Sequence, residues 1–143
     1  MIKIRGILTD EELAQAHAIR TKVFVNEQHV PVEEELDEFE NSSRHYLAWL
    51  NGKAAGTARW RVTEKGIKLE RFAVLKEFRK QGVGSALVEF VLKEITDQPG
   101  FKNKEIYLHS QLNAMPLYSK FGFRKIGNIF EEAGIKHYKM IKT

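Results

Sequence analysis

Near its centre the chain reads Glu70-Arg-Phe-Ala-Val-Leu-Lys-Glu-Phe-Arg-Lys-Gln-Gly-Val-Gly-Ser85, which predicts a strand, a basic turn with two glycines and the start of a helix. Glycine at positions 82 and 84 lets backbone N–H groups come close to a ligand. The first N–H groups of a helix lack partners within the helix, and the helix dipole favours an anion beside them. Together with Arg79 and Lys80, this turn predicts an anion site suited to a pyrophosphate.

Two common nucleotide-binding motifs are absent from the turn. A P-loop requires lysine after its second glycine, but Ser85 follows Gly84. A dinucleotide fingerprint requires a third glycine three positions beyond Gly84, where the sequence has Leu87. The residues alone do not identify the anion, and an ordinary strand-to-helix turn that needs two glycines stays open.

The segments on either side of the turn predict a mixed sheet flanked by helices. Asn51-Gly52 separates two strand-like runs, which is the strongest two-residue signal for a β-hairpin. Thr9 to Glu12 has the pattern of a capping box, and helical periodicity also extends from Gly82 to Ile95. The predicted strands are residues 2–7, 45–50, 53–62, 67–74, 105–109, 123–130 and 136–141.

The order of these elements predicts the fold class. The helix that starts at Gly82 crosses between two strands, which places those strands parallel in one sheet. The predicted class is therefore α/β, with antiparallel strands added to the sheet (α+β). Ligands of such sheets bind at the carboxyl ends of the parallel strands.

Composition bounds the domain count and excludes several kinds of site. The 143 residues, 43% of them hydrophobic, suffice for one core, so we expect residues 1–143 to form a single domain. The chain has no cysteine, which excludes disulfides, zinc–thiolate sites and an acyl-cysteine intermediate. Its five histidines lack the spacing of metal ligands, so no metal is implied. Without a signal-peptide pattern or a run of about 18 apolar residues, we expect a cytoplasmic protein with no membrane segment.

Charge is unevenly distributed along the chain. The net charge is +4, yet six of the eight residues 33–40, here called the acidic segment, are Asp or Glu. This pattern favours a polyanionic ligand at the basic part of the protein and a cationic one near the acidic segment. A solvated acidic loop is the plainer alternative.

The turn and the region after it resemble the signatures of a known family. Arg79-x-x-Gly82-x-Gly84 is similar to the acyl-CoA-binding motif of the GNAT N-acetyltransferase superfamily. Asn113-Ala-Met-Pro-Leu-Tyr118-Ser-Lys-Phe-Gly-Phe123 is similar to the second signature of that family. The resemblance implies a GNAT-like central mixed β-sheet of about six or seven strands flanked by helices. It also implies acetyl-CoA as co-substrate.

The amino-terminal part resembles a subgroup of the family. Phe24-Val-Asn-Glu-Gln28, followed by Asp37, Glu40 and His45, is similar to small bacterial GNAT proteins whose acceptors are mostly unassigned. Glu40 stands where an aspartate is expected, so we assign it no catalytic role.

The resemblance implies which residues contact the cofactor. The pantetheine arm would pair like an extra strand with the backbone of Phe72, Ala73 and Val74. The pyrophosphate would be held by the turn residues Arg79, Lys80, Gln81, Gly82, Val83, Gly84 and Ser85. Asn113 would contact the pantetheine or the acetyl end, although a plain helix N-cap explains this residue equally well.

Two residues are predicted to be catalytic. Glu70, on the strand beside the thioester, is the candidate base that takes a proton from the amine through water, because partial desolvation makes a carboxylate a better base. Tyr118 matches the tyrosine that serves the family as general acid, here toward the leaving thiolate. The alternatives are a surface glutamate on a strand and a tyrosine that only packs in the core.

Other polar residues could line the acceptor side. His109 closes the strand before Asn113 and either lines the site or is an ordinary edge histidine. Arg59, Arg61 and Arg71 lie on neighbouring predicted strands, where they could bind an acidic acceptor or project into solvent.

The predicted function is transfer of an acetyl group from acetyl-CoA to a primary amine by direct attack in a ternary complex. A non-catalytic acyl-CoA sensor is the first alternative. Nucleic-acid binding, suggested by the pI of 9.3, is the weaker one, because no helix-turn-helix, RNP motif or zinc module is recognisable. The sequence leaves open the acceptor amine, the identity of the acyl group and a homodimer.

Overall fold

Over residues 1–101 and 103–143, which the computed structural model describes, the chain forms seven strands and four α-helices. The strands are β1 (Ile2–Gly6), β2 (Arg44–Leu50), β3 (Lys53–Thr63), β4 (Gly66–Val74), β5 (Ile106–Gln111), β6 (Phe123–Glu132) and β7 (Ile135–Lys142). The helices are α1 (Asp10–Arg20), α2 (Val32–Glu35), α3 (Val83–Thr96) and α4 (Met115–Ser119), with a π-helix at Thr21–Glu27 and 3₁₀ turns at Lys76–Phe78 and Leu112–Ala114.

The strands form one mixed sheet in the order β1-β2-β3-β4-β5-β7-β6. Only β4 and β5 pair in parallel among the described strands, and the other neighbours pair antiparallel. The helix α3 makes the crossover between the two parallel strands. The predicted α/β class, with six or seven strands in a mixed sheet, is confirmed.

Local sequence signals account for the ends of several elements. Asn51 and Gly52 both have positive φ, 51° and 85°, as a two-residue hairpin turn of the type that matches strand twist requires. Thr9 caps α1, because its hydroxyl accepts the N–H of Glu12 at 3.1 Å. Both predictions are confirmed.

Helices cover both faces of the sheet. The apolar side of α3 is buried against one face through Val83, Leu87, Val88, Val91 and Ile95. On the other face, Ala16 and Ile19 of α1 and Val23 of the π-helix pack with Leu47, Ala73 and Leu75. Burial of apolar area on both sides stabilises this three-layer arrangement. No helix in the described part of the chain is long and apolar enough to cross a membrane.

The structure around Asn113 differs from the N-cap interpretation of this residue. Asn113 lies inside the 3₁₀ turn, α4 begins at Met115, and Ala114 holds the cap position without a side-chain bond. Pro116 accounts for the late start, because proline is favoured in the first turn, where its missing N–H costs nothing. The N-cap interpretation of Asn113 is therefore wrong.

The parallel strands β4 and β5 separate soon after they meet. They pair only from Ile67–Leu69 to Ile106–Leu108. Against β3, β4 also carries a bulge between Glu70 and Ala73, where Arg71 has a left-handed φ of 58°. The separation opens a gap at the carboxyl ends of both strands, which is where an open α/β sheet binds its ligands.

Candidate active site

A cleft of about 1110 Å³ occupies the gap between β4 and β5 and continues to the start of α3. It lies at the upper end of the volumes typical of small-molecule sites. It is lined by every predicted site residue except Gln81, namely Glu70, Phe72, Ala73, Val74, Arg79, Lys80, Gly82, Val83, Gly84, Ser85, Asn113 and Tyr118. The side chain of Gln81 instead donates to the carbonyl of Glu77 at 3.3 Å.

The glycine turn forms one end of the cleft. Gly82 has a φ of 89°, which favours glycine, and it directly precedes α3. Within the described residues no side chain caps α3, so its first N–H groups, at 83–85, lack a capping partner. Lys80 and Lys120 line the same end. This end combines unpaired backbone donors with positive charge, as an anion site requires.

Arg79 connects the glycine turn to the π-helix. Its guanidinium contacts both carboxylate oxygens of Glu27, at 2.8 and 3.0 Å, and its Nε donates to the carbonyl of Val74 at 2.9 Å. These bonds fasten the end of the π-helix to the turn. Arg79 also lines the cleft, and its place at the anion site stays a prediction.

The edge of β4 forms the wall of the cleft. Beyond Leu69, β4 has no strand partner on its β5 side within the described residues, while Ala73 and Val74 still pair with β3 on the other. Across the gap, Gln111 of β5 donates to the side-chain oxygen of Gln28 at 2.7 Å and joins β5 to the end of the π-helix. The wall thus presents extended backbone to which a further strand-like group can bond.

Tyr118 packs in the core and also lines the cleft. Tyr118 is only 8% exposed, and its ring makes edge contacts with Phe72 and Phe123 at centroid distances of 6.1 and 6.0 Å. Burial raises the pKa of its hydroxyl. The hydroxyl has no hydrogen-bond partner among residues 1–101 and 103–143, and the residue lines the cleft. A buried phenol that keeps its proton is thereby available to a ligand.

Glu70 has three cationic neighbours. Its carboxylate lies 2.6 Å from Arg61, 3.1 Å from Arg59 and 3.4 Å from Lys68. Burial favours the protonated form, but the charges of Arg59 and Lys68 and the hydrogen bond from Arg61 outweigh it and lower the pKa of Glu70. The expectation that desolvation makes this carboxylate a better base is wrong, because the sequence did not reveal its partners.

The acidic segment is tied to the sheet by ion pairs. Asp37 and Glu40 contact the fully buried Arg59, at 2.6 and 2.5 Å. Despite burial, which acts in the opposite direction, hydrogen bonds from arginines lower the pKa values of Asp37 and Glu40 to about 2. Glu35 joins Arg20 and Arg71, each at 2.9 Å.

These ion pairs correct the interpretation of the arginines on β3 and β4. Arg59 and Arg71 neither project into solvent nor remain available to an acidic acceptor, because the acidic segment neutralises them. Arg61 pairs with Glu70 and lies over the ring of Phe39 at 3.7 Å. The plain interpretation of a solvated acidic loop is therefore wrong for Glu35, Asp37 and Glu40.

A histidine–glutamate pair also lines the cleft. The Nδ1 atom of His109 on β5 lies 3.0 Å from a carboxylate oxygen of Glu132 at the end of β6. The sequence indicated His109 as a residue that could line the site, but gave no sign of Glu132. The two residues are 23 positions apart on strands that are not direct neighbours, so no local pattern joins them.

Comparisons with known proteins agree with this architecture. Residues 7–143 match the family model of the acetyltransferase (GNAT) domain. The chain is 40% identical over 136 residues to an uncharacterised N-acetyltransferase, YjcF of Bacillus subtilis, covering 93% of this chain and 94% of the relative. The crystal structure of Escherichia coli ElaA superposes with a TM-score of 0.87 at 26% identity and full coverage of both chains.

A plant enzyme with a bound ligand has a similar fold. Arabidopsis thaliana Naa50, solved in complex with the bisubstrate analogue CoA-Ac-MVNAL, has a TM-score of 0.76 at 25% identity, over 99% of this chain and 98% of that one. The sheet, the glycine turn before α3 and the matched family model lead to one conclusion. The chain belongs to the GNAT acetyltransferase family.

Proposed function

We propose that this protein transfers an acetyl group from acetyl-CoA to a primary amine by direct attack in a ternary complex. One observation carries the proposal: a single cleft joins the uncapped start of α3, the unpaired edge of β4 and the hydroxyl of Tyr118. Membership of the family supports acyl transfer. Direct attack is favoured because the chain has no cysteine to carry the acyl group.

Acetyl-CoA fits the chemistry of the cleft. The pyrophosphate would accept hydrogen bonds from backbone amides at 82–85, with Lys80 and Lys120 supplying positive charge. The pantetheine amides would bond to the open β4 edge at Phe72–Val74, with Asn113 on the opposite side. The ligand of Naa50, which links CoA to a peptide through an acetyl group, supports simultaneous access for donor and acceptor.

The reaction removes two protons from the ammonium nitrogen and delivers one to the departing thiolate. A primary ammonium with a pKa of about 10.4 must first lose a proton, at a cost of about 4 kcal/mol near pH 7.4. The neutral amine then attacks the thioester carbonyl, and the tetrahedral intermediate expels the CoA thiolate. Tyr118 is proposed to protonate that thiolate, because it lines the cleft with its proton in place. Glu70, held ionised by three cations, is a weak base.

The charges of the acceptor side favour a cationic acceptor. The cations Arg61, Lys68 and Arg71 line this part of the cleft, and each is paired with a carboxylate. Glu33 and Glu34 also line it, and both are exposed. An ammonium group is therefore attracted more strongly than a carboxylate.

The test begins with the release of thiol from acetyl-CoA in the presence of a broad panel of amines. Amine-dependent release with formation of the acetylated amine supports the proposal. Acetyl-CoA binding without amine-dependent release would identify a sensor instead, and the absence of binding would contradict the proposal entirely.

A glycine variant tests the anion end of the cleft. In Gly82→Glu, a bulky anionic side chain at the turn should weaken acetyl-CoA binding by more than 10-fold, about 1.4 kcal/mol. Gly127→Glu is the matched control, because Gly127 also has positive φ, 73°, and lies on β6 with open space around it. Calorimetry on both folded variants checks this, and equal affinities would contradict the assignment of the turn.

A further inference from the structure

The pair of His109 and Glu132 lines the described cleft, and the proposed reaction does not yet use it. The two side chains are 25% and 48% exposed, and they meet through Nδ1 of the histidine. Since Nδ1 bonds to a carboxylate, it carries the proton in the neutral ring, and Nε2 is left as the basic nitrogen. No second bond to the ring occurs among the described residues.

The strand register places His109 beside Glu70. Leu69 of β4 pairs with Leu108 of β5 at the last paired position of the parallel strands, and both leucines are buried in the core under α3. The next residue on each strand is Glu70 or His109, which point to the opposite face because strand side chains alternate. Both line the cleft. The imidazole therefore lies on the strand next to the position where the sequence predicted a base.

We propose that His109 is the catalytic base that accepts a proton from the acceptor ammonium, and that Glu132 is a positioning residue that fixes the tautomer and orientation of its ring. The inference rests on the proposed function. In this step an N–H bond of the ammonium breaks and an N–H bond forms at Nε2 of His109. The nitrogen lone pair then forms the C–N bond, the C–S bond breaks, and the thiolate takes up the proton from Tyr118. The attacking nitrogen loses its second proton as the amide forms, and this proton returns Tyr118 to its neutral form.

The partners of each group favour His109 over Glu70. Imidazole ordinarily titrates at about 6.5 and a carboxyl group at about 4.3, so imidazole is the stronger base near neutral pH. Arg59, Arg61 and Lys68 weaken Glu70 further. By contrast, Glu132 accepts the Nδ1–H bond of His109 and leaves Nε2 as the basic nitrogen.

A second histidine of the cleft, His137, is a poorer candidate. Its Nδ1 lies 2.7 Å from the carbonyl of Ile135, a neutral partner, and the residue is only 7% exposed. Its ring stacks on Phe130, whose edge also contacts His109. His137 is thus a wall of the pocket rather than a group that reaches an acceptor.

Charged or titratable residues near His109 come from three strands. They are Lys68 and Glu70 on β4, Lys139 and His137 on β7, and Glu132 on β6. Lys139 is directed elsewhere, because its Nζ lies 4.8 Å from the Tyr107 ring centroid and 3.5 Å from Glu105. The nearest partner of the imidazole is therefore anionic, which suits a base that becomes a cation.

The decisive experiment compares pH profiles of kcat/KM for the parental protein, His109→Gln and His17→Gln, using an amine identified in the panel. His17 is the matched control, since it also pairs with a glutamate, Glu40 at 2.8 Å, but does not line the cleft. Loss of a general base is typically worth about 10²- to 10⁴-fold. We expect a loss of this size in His109→Gln, disappearance of the acid limb of its profile, unchanged acetyl-CoA affinity, and parental kinetics in His17→Gln.

Two variants test the positioning role of Glu132. Glu132→Ala removes the acceptor of the Nδ1–H bond and should lower kcat/KM at least 10-fold. Glu132→Gln retains an oxygen that accepts this bond and should restore most of the activity, which a purely structural loss would not do. Equal activities of the two variants would overturn the role of Glu132.

Failure of the inference and failure of the proposed function give different results. If the parental protein acetylates an amine and His109→Gln retains its rate and its acid limb with chemistry limiting, His109 is not the base. If His137→Gln instead lost the acid limb, His137 would be the catalytic base, and the inference for His109 would be overturned. If the parental protein acetylates no amine, the proposed function fails, and the inference fails with it.

Discussion

The packing of Tyr118 suits it to the role of general acid that we propose for it. Its ring is held edge-on between Phe72 and Phe123, so its hydroxyl is fixed relative to the β4 wall of the cleft. Because burial raises its pKa, the phenol remains protonated throughout the neutral pH range. A fixed, protonated donor is what the departing thiolate requires.

Replacing Tyr118 by phenylalanine should separate the two roles. The ring contacts survive in Tyr118→Phe while the proton donor is lost, so kcat should fall by about 10²- to 10⁴-fold with little change in acetyl-CoA affinity. Single-turnover kinetics and calorimetry measure the two quantities. A parental single-turnover rate in the variant would make Tyr118 a packing residue only.

The glycine turn could be predicted from the sequence, whereas the charge state of Glu70 could not. The spacing of Arg79, Gly82 and Gly84 was enough to predict the turn before α3, because this motif is contiguous in the chain. The charge state of Glu70 could not be predicted, because its partner Arg59 belongs to another strand and is itself held by the acidic segment. Contacts between distant segments set the electrostatics of the site.

At the scale of elements, hydrophobic periodicity and turn residues predicted most of the sheet and helix α3. The π-helix after α1 was not predicted, since its apolar residues continue the helical pattern and give no separate signal. The acidic segment was also only partly understood. Its composition suggested solvation, but Glu35 is buried within ion pairs to Arg20 and Arg71.

The ion pairs of the acidic segment predict acid sensitivity. A carboxylate whose pKa is lowered by folding stabilises the protein fully above its unfolded pKa, about 4.3 for glutamate, and this stabilisation is lost as the pH falls toward the folded value. For Glu40, with a pKa of about 2, the contribution is about 3 kcal/mol, lost mainly between pH 5 and about pH 2. Glu40→Gln should therefore lower stability at pH 7 by this order and flatten its dependence on pH.

Urea unfolding at pH 7, 4 and 3 checks this prediction. Glu38→Gln is the control, because Glu38 is an exposed acid of the same segment outside the ion pairs of the described residues. Parallel losses of stability on acidification in Glu40→Gln and the parental protein would show that Glu40 is not responsible.

At the scale of the whole molecule, the positive net charge of +4 would repel a cationic acceptor, unless local charge reverses the field at the cleft. With Glu35, Asp37 and Glu40 neutralised by arginines, the exposed carboxylates of Glu33 and Glu34 remain at the cleft. They are the part of the acidic segment that is able to attract an ammonium.

Neutralising this pair should affect encounter rather than chemistry. In Glu33→Gln/Glu34→Gln, KM for a cationic amine should rise about 3- to 10-fold at low salt and much less at high salt, because screening acts over about 8 Å at physiological ionic strength. The kcat value should change little. The control is Glu38→Gln, because Glu38 does not line the cleft, and it should keep the parental KM at both salt concentrations. If the double variant also kept the parental KM at low salt, Glu33 and Glu34 would have no role in attracting the amine.

The short parallel pairing of β4 and β5 also limits how strongly the two parts of the sheet are connected. Three residue pairs join one part of the sheet, β1 to β4, to the other, β5 to β7. A ligand that bonds to the open edge of β4 and also contacts β5 adds to the connection between these two parts. Ligand binding and separation of the two parts of the sheet are thermodynamically linked. Separation therefore weakens ligand binding by the same free energy by which the bound ligand opposes separation. We therefore expect the two parts of the sheet to be hardest to separate when a ligand occupies the open edge of β4.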